Sequence, residues 1–141
     1  MDVYTLLRRQ PRAFYLAAAL TLYLLLLWMG GQEQTVTHLP GRDSFSKVYH
    51  LVFYGGWCAL IWLSMRRPSL LLAVGMTMLA GAGDEFHQSS LPFREGRVSD
   101  ILLDTVAATA SALLMLRLER RAAAQGQGRP AGPVARHEEN C

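Results

Sequence analysis

Cysteine is scarce in this 141-residue chain: Cys58 stands inside an apolar stretch and Cys141 is the last residue. A disulfide between them would need the tail to fold back on the body, and no paired zinc-ligand spacing is present. Cys58 reads as a small buried apolar filler. Charge is scarce where a soluble fold would need it. The 14 Lys+Arg and 11 Asp+Glu make up 18% of the chain and sit almost wholly between and after four apolar blocks, not along amphipathic stripes. With 51% hydrophobic residues and no internal repeat, the composition excludes collagen, a disulfide scaffold and a wholly disordered chain. It argues against a cytosolic enzyme. The length fits one domain.

The four blocks approach the length of about 20 residues that a helix needs to cross a hydrocarbon core. The first runs from about Ala13 to Met29 without a charge, with Tyr15 and Trp28 near its ends, where amphipathic rings favour the interface. Arg8, Arg9 and Arg12 precede it, as in a secretory signal. Trp28 and Met29, however, stand where a cleavage site wants small residues, so an uncleaved span is expected. The second block is about Val48 to Met65, closed by Arg66, Arg67 and Pro68. The third, Ser69 to Gly83, is short and is expected to continue into Phe86 or beyond. The fourth runs from about Ser99 to Leu118, and its small residues from Ala107 to Ala112 let helix backbones approach closely. Backbone groups in lipid must be satisfied internally. The expected fold is therefore all-α, an integral membrane bundle of four transmembrane helices.

Basic residues set the direction. They gather before span one, in the Arg66–Arg67 turn, and after span four, where Arg117, Arg120, Arg121, Arg129 and Arg136 follow. The first and third connections mix Arg42, Lys47, Arg94 and Arg97 with Glu33, Asp43, Asp84, Glu85 and Glu95. Both termini are expected to be cytoplasmic, and connections one and three outward. The chain then divides into a basic segment (1–12), a membrane domain (13–121) and a tail (122–141). The tail is rich in Ala, Gly, Gln and Pro; it cannot bury enough surface to offset its ordering entropy and is expected to be disordered. The Arg117–Arg121 cluster reads as an anchor to anionic membrane lipids, with no nucleic-acid partner implied.

Ionisable residues collect at the outward ends of three spans. Lys47, His50 and Tyr54 share one face of span two by their spacing; Asp84, His87 and Gln88 do so at the end of span three, beside Glu85. Asp100 and Asp104 are one turn apart at the start of span four. Together these faces predict a polar pocket opening outward. Lys47 at a helix start, and Asp84 and Glu85 at a helix end, each oppose the helix dipole by about 0.3–1 kcal/mol. A Lys47–Asp84 or Lys47–Glu85 pair would relieve both conflicts. Asp100 suits its helix start, while Asp104 lies a turn inside the span, where charge is costly. Ordinary readings exist too: Lys47 snorkelling to headgroups, His50 hydrogen-bonded in a core, Glu95 and Arg97 as solvated loop charges. The clustering is what argues for a site.

In this order and spacing the residues resemble the VanZ-like family of small bacterial membrane proteins, over about residues 43–116. Gly83-Asp84-Glu85-Phe86-His87-Gln88 is similar to the family's Gly/Ser-Asp-Glu-x-His-Gln core, and Lys47-x-x-His50-x-x-x-Tyr54 to its Lys-x-x-His-x-x-x-Tyr pattern. Pro92-Phe93-Arg94 stands where Pro-Gly-Arg is usual, and Asp100-x-x-x-Asp104-Thr105 is similar to Asp-x-x-x-Asn/Asp-Thr/Ser. The chain departs at Ser46, where an acid commonly abuts the lysine, and at Phe93 and Ala107, which replace glycines. The resemblance implies a multi-pass protein of the bacterial plasma membrane that acts at the cell envelope. The family's namesake is associated with low-level resistance to the glycopeptide teicoplanin.

Three chemistries suit these residues. In the first, an outward pocket binds a cell-wall precursor or lipid headgroup. Lys47 or Arg94 meets its phosphate or carboxylate, Asp84, Glu85, Asp100 and Asp104 set the field, and Tyr54 and Gln88 give neutral hydrogen bonds. In the second, a small membrane hydrolase or transferase acts on an envelope lipid, with His50 or His87 as general acid–base oriented by Asp84 or Glu85. Ser89 and Ser90 have no catalytic spacing, which leaves water as the nucleophile. In the third, His50, Asp84, His87 and Asp104 hold a first-row metal. The Asp84-x-x-His87 spacing occurs in metal-binding bundles, but a single copy draws no closed ligand set, so neither a metal nor another cofactor is expected.

Overall fold

Leucine and alanine, the strongest helix formers, fill the apolar blocks, and in the computed structural model each block winds into a helix. The structure describes residues 3–30, 42–92 and 98–127. All regular structure among them is helical: α1 (Val3–Leu7), α2 (Arg12–Gly30), α3 (Arg42–Ser64), α4 (Leu70–Ser89) and α5 (Val98–Gln127). Pro11 stands just before α2, where a missing N–H is no loss. Pro68 separates α3 from α4, and Ser69 caps α4 by accepting from the Leu72 N–H at 3.4 Å.

One boundary follows the sequence expectation and two depart from it, α3 beginning at Arg42 and not near Val48. Helix α4 reaches Ser89, so the third block does continue past Phe86. Helix α5 reaches Gln127, beyond the Ala122 at which a disordered tail was expected to begin. Ala122, Ala123 and Ala124 are strong helix formers and prolong the turn that carries Arg120 and Arg121. Residues 128–141, the rest of that expected tail, lie outside the described residues.

Among the described residues, α2 and α5 are long and apolar enough to cross a membrane. His50, Tyr54 and two glycines dilute α3, and Asp84, Glu85, His87 and Gln88 dilute the end of α4. All four long helices nevertheless expose apolar side chains, and α3, α4 and α5 bury polar ones. Leu20, Leu24, Val52, Leu71, Leu79, Phe86, Leu102 and Val106 are exposed, whereas His50, Thr77, Asp84, Glu85, Gln88 and Asp104 are buried. Water would favour the reverse, and lipid favours this one.

Helix α3 packs against α2, α4 and α5, and α5 also packs against α4 and α1. Small side chains bring α3 and α5 close. Ala108 and Ala112 are fully buried, Ser111 Oγ donates to the Gly55 carbonyl at 2.7 Å, and Cys58 Sγ donates to the Ala108 carbonyl at 3.3 Å. On the other side of α3, Trp57 Nε1 donates to the Ala19 carbonyl of α2 at 2.8 Å. The Tyr23 hydroxyl joins α2 to α4 through the Ala80 carbonyl at 3.2 Å.

The two ends of the molecule differ in chemistry. At one end, Arg8 Nη1 donates to the Met65 carbonyl at 2.9 Å and the Leu63 carbonyl at 3.4 Å, satisfying acceptors that the end of α3 leaves open. Tyr4 and Leu7 share an apolar cluster with Leu70, Met115, Leu118 and Ala122. The amino-terminal segment, the α3–α4 turn and the later turns of α5 therefore meet there. His50, Asp84 and Asp104 lie towards the other end.

Candidate functional site

The polar residues of the site come from three helices in pairs one turn apart: His50 and Tyr54 on α3, Asp84 and Gln88 on α4, and the half-buried Asp100 with the buried Asp104 on α5. Helical spacing puts each pair on one face, and the packing of α3 between its neighbours turns those faces towards each other. His50 Nδ1 lies 3.0 Å from Asp104 Oδ1, a salt bridge when the imidazole is protonated. With Asp104 ionised and the ring neutral, Nδ1 carries the hydrogen and Nε2 is the acceptor nitrogen.

A second carboxylate sits beside the first. The Tyr54 hydroxyl donates to Asp84 Oδ2 at 3.0 Å, and Gln88 Nε2 donates to the same oxygen at 2.9 Å. The Tyr54 and His50 rings stack with centroids 5.7 Å apart, and Tyr49 meets His50 edge-on at 6.2 Å. Asp84 is 1% exposed and Asp104 is 0% exposed. Each keeps one oxygen, Asp84 Oδ1 and Asp104 Oδ2, without a hydrogen-bond partner among the described residues. Buried carboxylates in this condition are costly, and in a membrane setting they mark working sites more often than scaffolding.

Glu85 also points inward and is 5% exposed. One ligand atom each from His50, Glu85 and Asp100 lies within 4.8 Å of the other two. This trio differs from the metal set drawn from sequence, His50 with Asp84, His87 and Asp104. Asp84 already holds Tyr54 and Gln88, Asp104 holds the imidazole, and His87 is half-buried outside the trio.

Other expectations also shift. Lys47 is exposed and does not pair with Asp84, because Tyr54, two turns further along α3, takes that position. Arg94, Glu95 and Arg97 lie outside the described residues. The hydroxyls of Ser89 and Ser90 donate to the Phe86 and His87 carbonyls of their own helix.

Gly81 is a contributor that sequence reasoning missed. A β-carbon there would lie 2.8 Å from Asp104 Oδ2, so the absent side chain is what admits the carboxylate. At Gly83 a β-carbon would lie 2.9 Å from the Tyr23 hydroxyl. The available signal was two glycines within three residues of an acid in a helix that gains nothing from them.

A family profile described as VanZ/LLP1 matches residues 8–119. The chain belongs to the VanZ/LLP1 family. No curated protein and no solved structure matches it. The VanZ/LLP1 match spans α2 to α5 through Glu119, so the polar group of α3, α4 and α5 falls wholly inside it. Family membership and two apolar helices of spanning length together point to a membrane protein.

Proposed function

We propose that this VanZ/LLP1 protein spans the bacterial plasma membrane four times and acts at the cell envelope through an outward-facing polar site. The site recognises the phosphate or carboxylate of a lipid headgroup or cell-wall precursor, and the phenotype assigned to it is protection against teicoplanin. The observation that carries this reading is the pair of fully buried carboxylates, Asp84 and Asp104, held by His50, Tyr54 and Gln88 at one end of helices whose outer faces are apolar. Packing alone gives no reason to bury them.

Orientation is supported by charge. Arg8, Arg66 and Arg67 lie at the opposite end from the carboxylates, as do Arg117, Arg120 and Arg121 near the end of α5. Basic residues stay on the cytoplasmic side, which turns the polar site outward. Lys47, exposed near the start of α3, and Arg94 are the cationic contacts for an anionic ligand, with arginine the better bidentate donor.

The test uses isogenic Gram-positive cells with empty vector, wild type or Asp84→Asn at matched membrane abundance. Protection against teicoplanin in the wild type alone is expected, with vancomycin run in parallel. Equal susceptibility in all three strains overturns the assigned phenotype.

The His50–Asp104 contact at 3.0 Å favours a second reading, a hydrolase or transferase on an envelope lipid. A carboxylate that fixes the imidazole tautomer leaves Nε2 to move a proton for attacking water. Turnover that persists in protein lacking both His50 and His87 removes this mechanism.

A further inference from the structure

Four carboxylates and one imidazole meet at the polar end: Asp84 and Glu85 from α4, Asp100 and Asp104 from α5, and His50 from α3. Their roles are unequal. Asp84 is engaged by two neutral donors, and Asp104 by the imidazole. His50, Glu85 and Asp100 form a set in which one ligand atom each lies within 4.8 Å of the others.

We propose that His50, Glu85 and Asp100 bind a first-row divalent cation of the zinc or manganese type. Asp104 acts as the positioning carboxylate behind the histidine. The inference rests on reading this end of the molecule as the working site, and it names what an anionic headgroup would meet there.

Three observations converge. The first is spacing: two ligands bonded to one cation at about 2.0–2.2 Å lie at most about 4.4 Å apart, so a small side-chain rotation closes the set. The second is the second sphere. A histidine that ligates through one ring nitrogen commonly donates the other N–H to a carboxylate, which fixes the tautomer and raises the ligand's basicity. Asp104 Oδ1, 3.0 Å from Nδ1 and fully buried, holds His50 in that way, with Nε2 as the ligating atom. The third is desolvation: Asp84 Oδ1 and Asp104 Oδ2 are buried without a hydrogen-bond partner among the described residues, and a divalent cation beside them offsets their charge.

Donor type narrows the metal. One imidazole with two carboxylates suits zinc or manganese, whereas magnesium and calcium favour oxygen alone. Three protein ligands leave at least one position open, the pattern of cation sites that meet a water or a substrate oxygen. A phosphate or carboxylate of a headgroup is such an oxygen.

The experiment uses the full chain in detergent, made without a histidine tag. It is stripped of metal and titrated separately with Zn²⁺, Mn²⁺ and Mg²⁺, with metal content read by mass spectrometry. One Zn²⁺ or Mn²⁺ per chain is expected, at least ten-fold tighter than Mg²⁺. His50→Gln, Glu85→Gln and Asp100→Asn should each weaken it at least ten-fold. Asp104→Asn should weaken it about 10- to 100-fold without changing stoichiometry. His87→Gln should leave both unchanged, which separates this trio from the ligand set expected from sequence.

Wild-type protein that binds neither Zn²⁺ nor Mn²⁺ overturns the proposal, whatever the variants do. So does retained binding in all three ligand variants. If no metal binds while Asp84→Asn still abolishes teicoplanin protection, the cation falls and the envelope reading stands. Stoichiometric metal with equal susceptibility in every strain has the opposite meaning.

Discussion

The carboxylate of Asp104 rests against the backbone of Gly81: a β-carbon on that glycine would lie 2.8 Å from Oδ2. Asp104 is fully buried and tied to His50 through its other oxygen, so it has no room to retreat. Gly81→Ala is expected to push α4 from α5 and lower stability by about 1–3 kcal/mol. Gly75, on the same helix, has no atom within 4 Å of its would-be β-carbon. Gly75→Ala should therefore stabilise by about 0.5–1 kcal/mol through backbone entropy. Thermal unfolding in detergent reads both, and equal effects would show that Gly81 is not a packing position.

Breaking the His50–Asp104 contact on one side strands a buried acid. His50→Leu is expected to cost about 3 kcal/mol or more. Adding Asp104→Asn removes the stranded charge and should recover more than half of the loss. Additive losses in chemical unfolding would mean the two side chains contribute independently.

Asp84 Oδ2 has two donors, Tyr54 at 3.0 Å and Gln88 at 2.9 Å. Either Tyr54→Phe or Gln88→Leu alone leaves one donor in place and should cost about 1 kcal/mol. Together they leave the oxygen without either donor, so the double variant should lose more than the sum. A double-mutant cycle on unfolding midpoints checks the excess.

Orientation is open to labelling, with Cys141→Ser as background and Cys58 too buried to react. Ser90 and Arg67 are both exposed, on opposite ends of α4. A membrane-impermeant maleimide should modify Ser90→Cys in intact cells and Arg67→Cys only after the membrane is opened. The reverse pattern would place the polar site in the cytoplasm.

Much of the site was legible because helical spacing is a local property. His50 with Tyr54, Asp84 with Gln88, and Asp100 with Asp104 each follow from one turn of helix, and the buried hydrogen bonds join members of all three pairs. Spacing does not fix how far each helix is rotated about its axis. Glu85 and His87 lie on either side of the Asp84 face, and only the packing of α4 against its neighbours decides that Glu85 turns inward. The expected Lys47–Asp84 pair does not form for a related reason. The dipole argument asked for a partner near the acid, yet Tyr54 lies at the depth of Asp84 and Lys47 does not. Gly81 was hidden because its contribution is a side chain it lacks.

The guanidinium of Arg8 reaches carbonyls 55 and 57 residues further along the chain. A ribosome delivers the arginine before those acceptors exist, so the segment that carries it is at first unfastened. It is secured only when the last turn of α3 emerges beside it, which makes this short basic stretch a latch that closes before α4 and α5 are made.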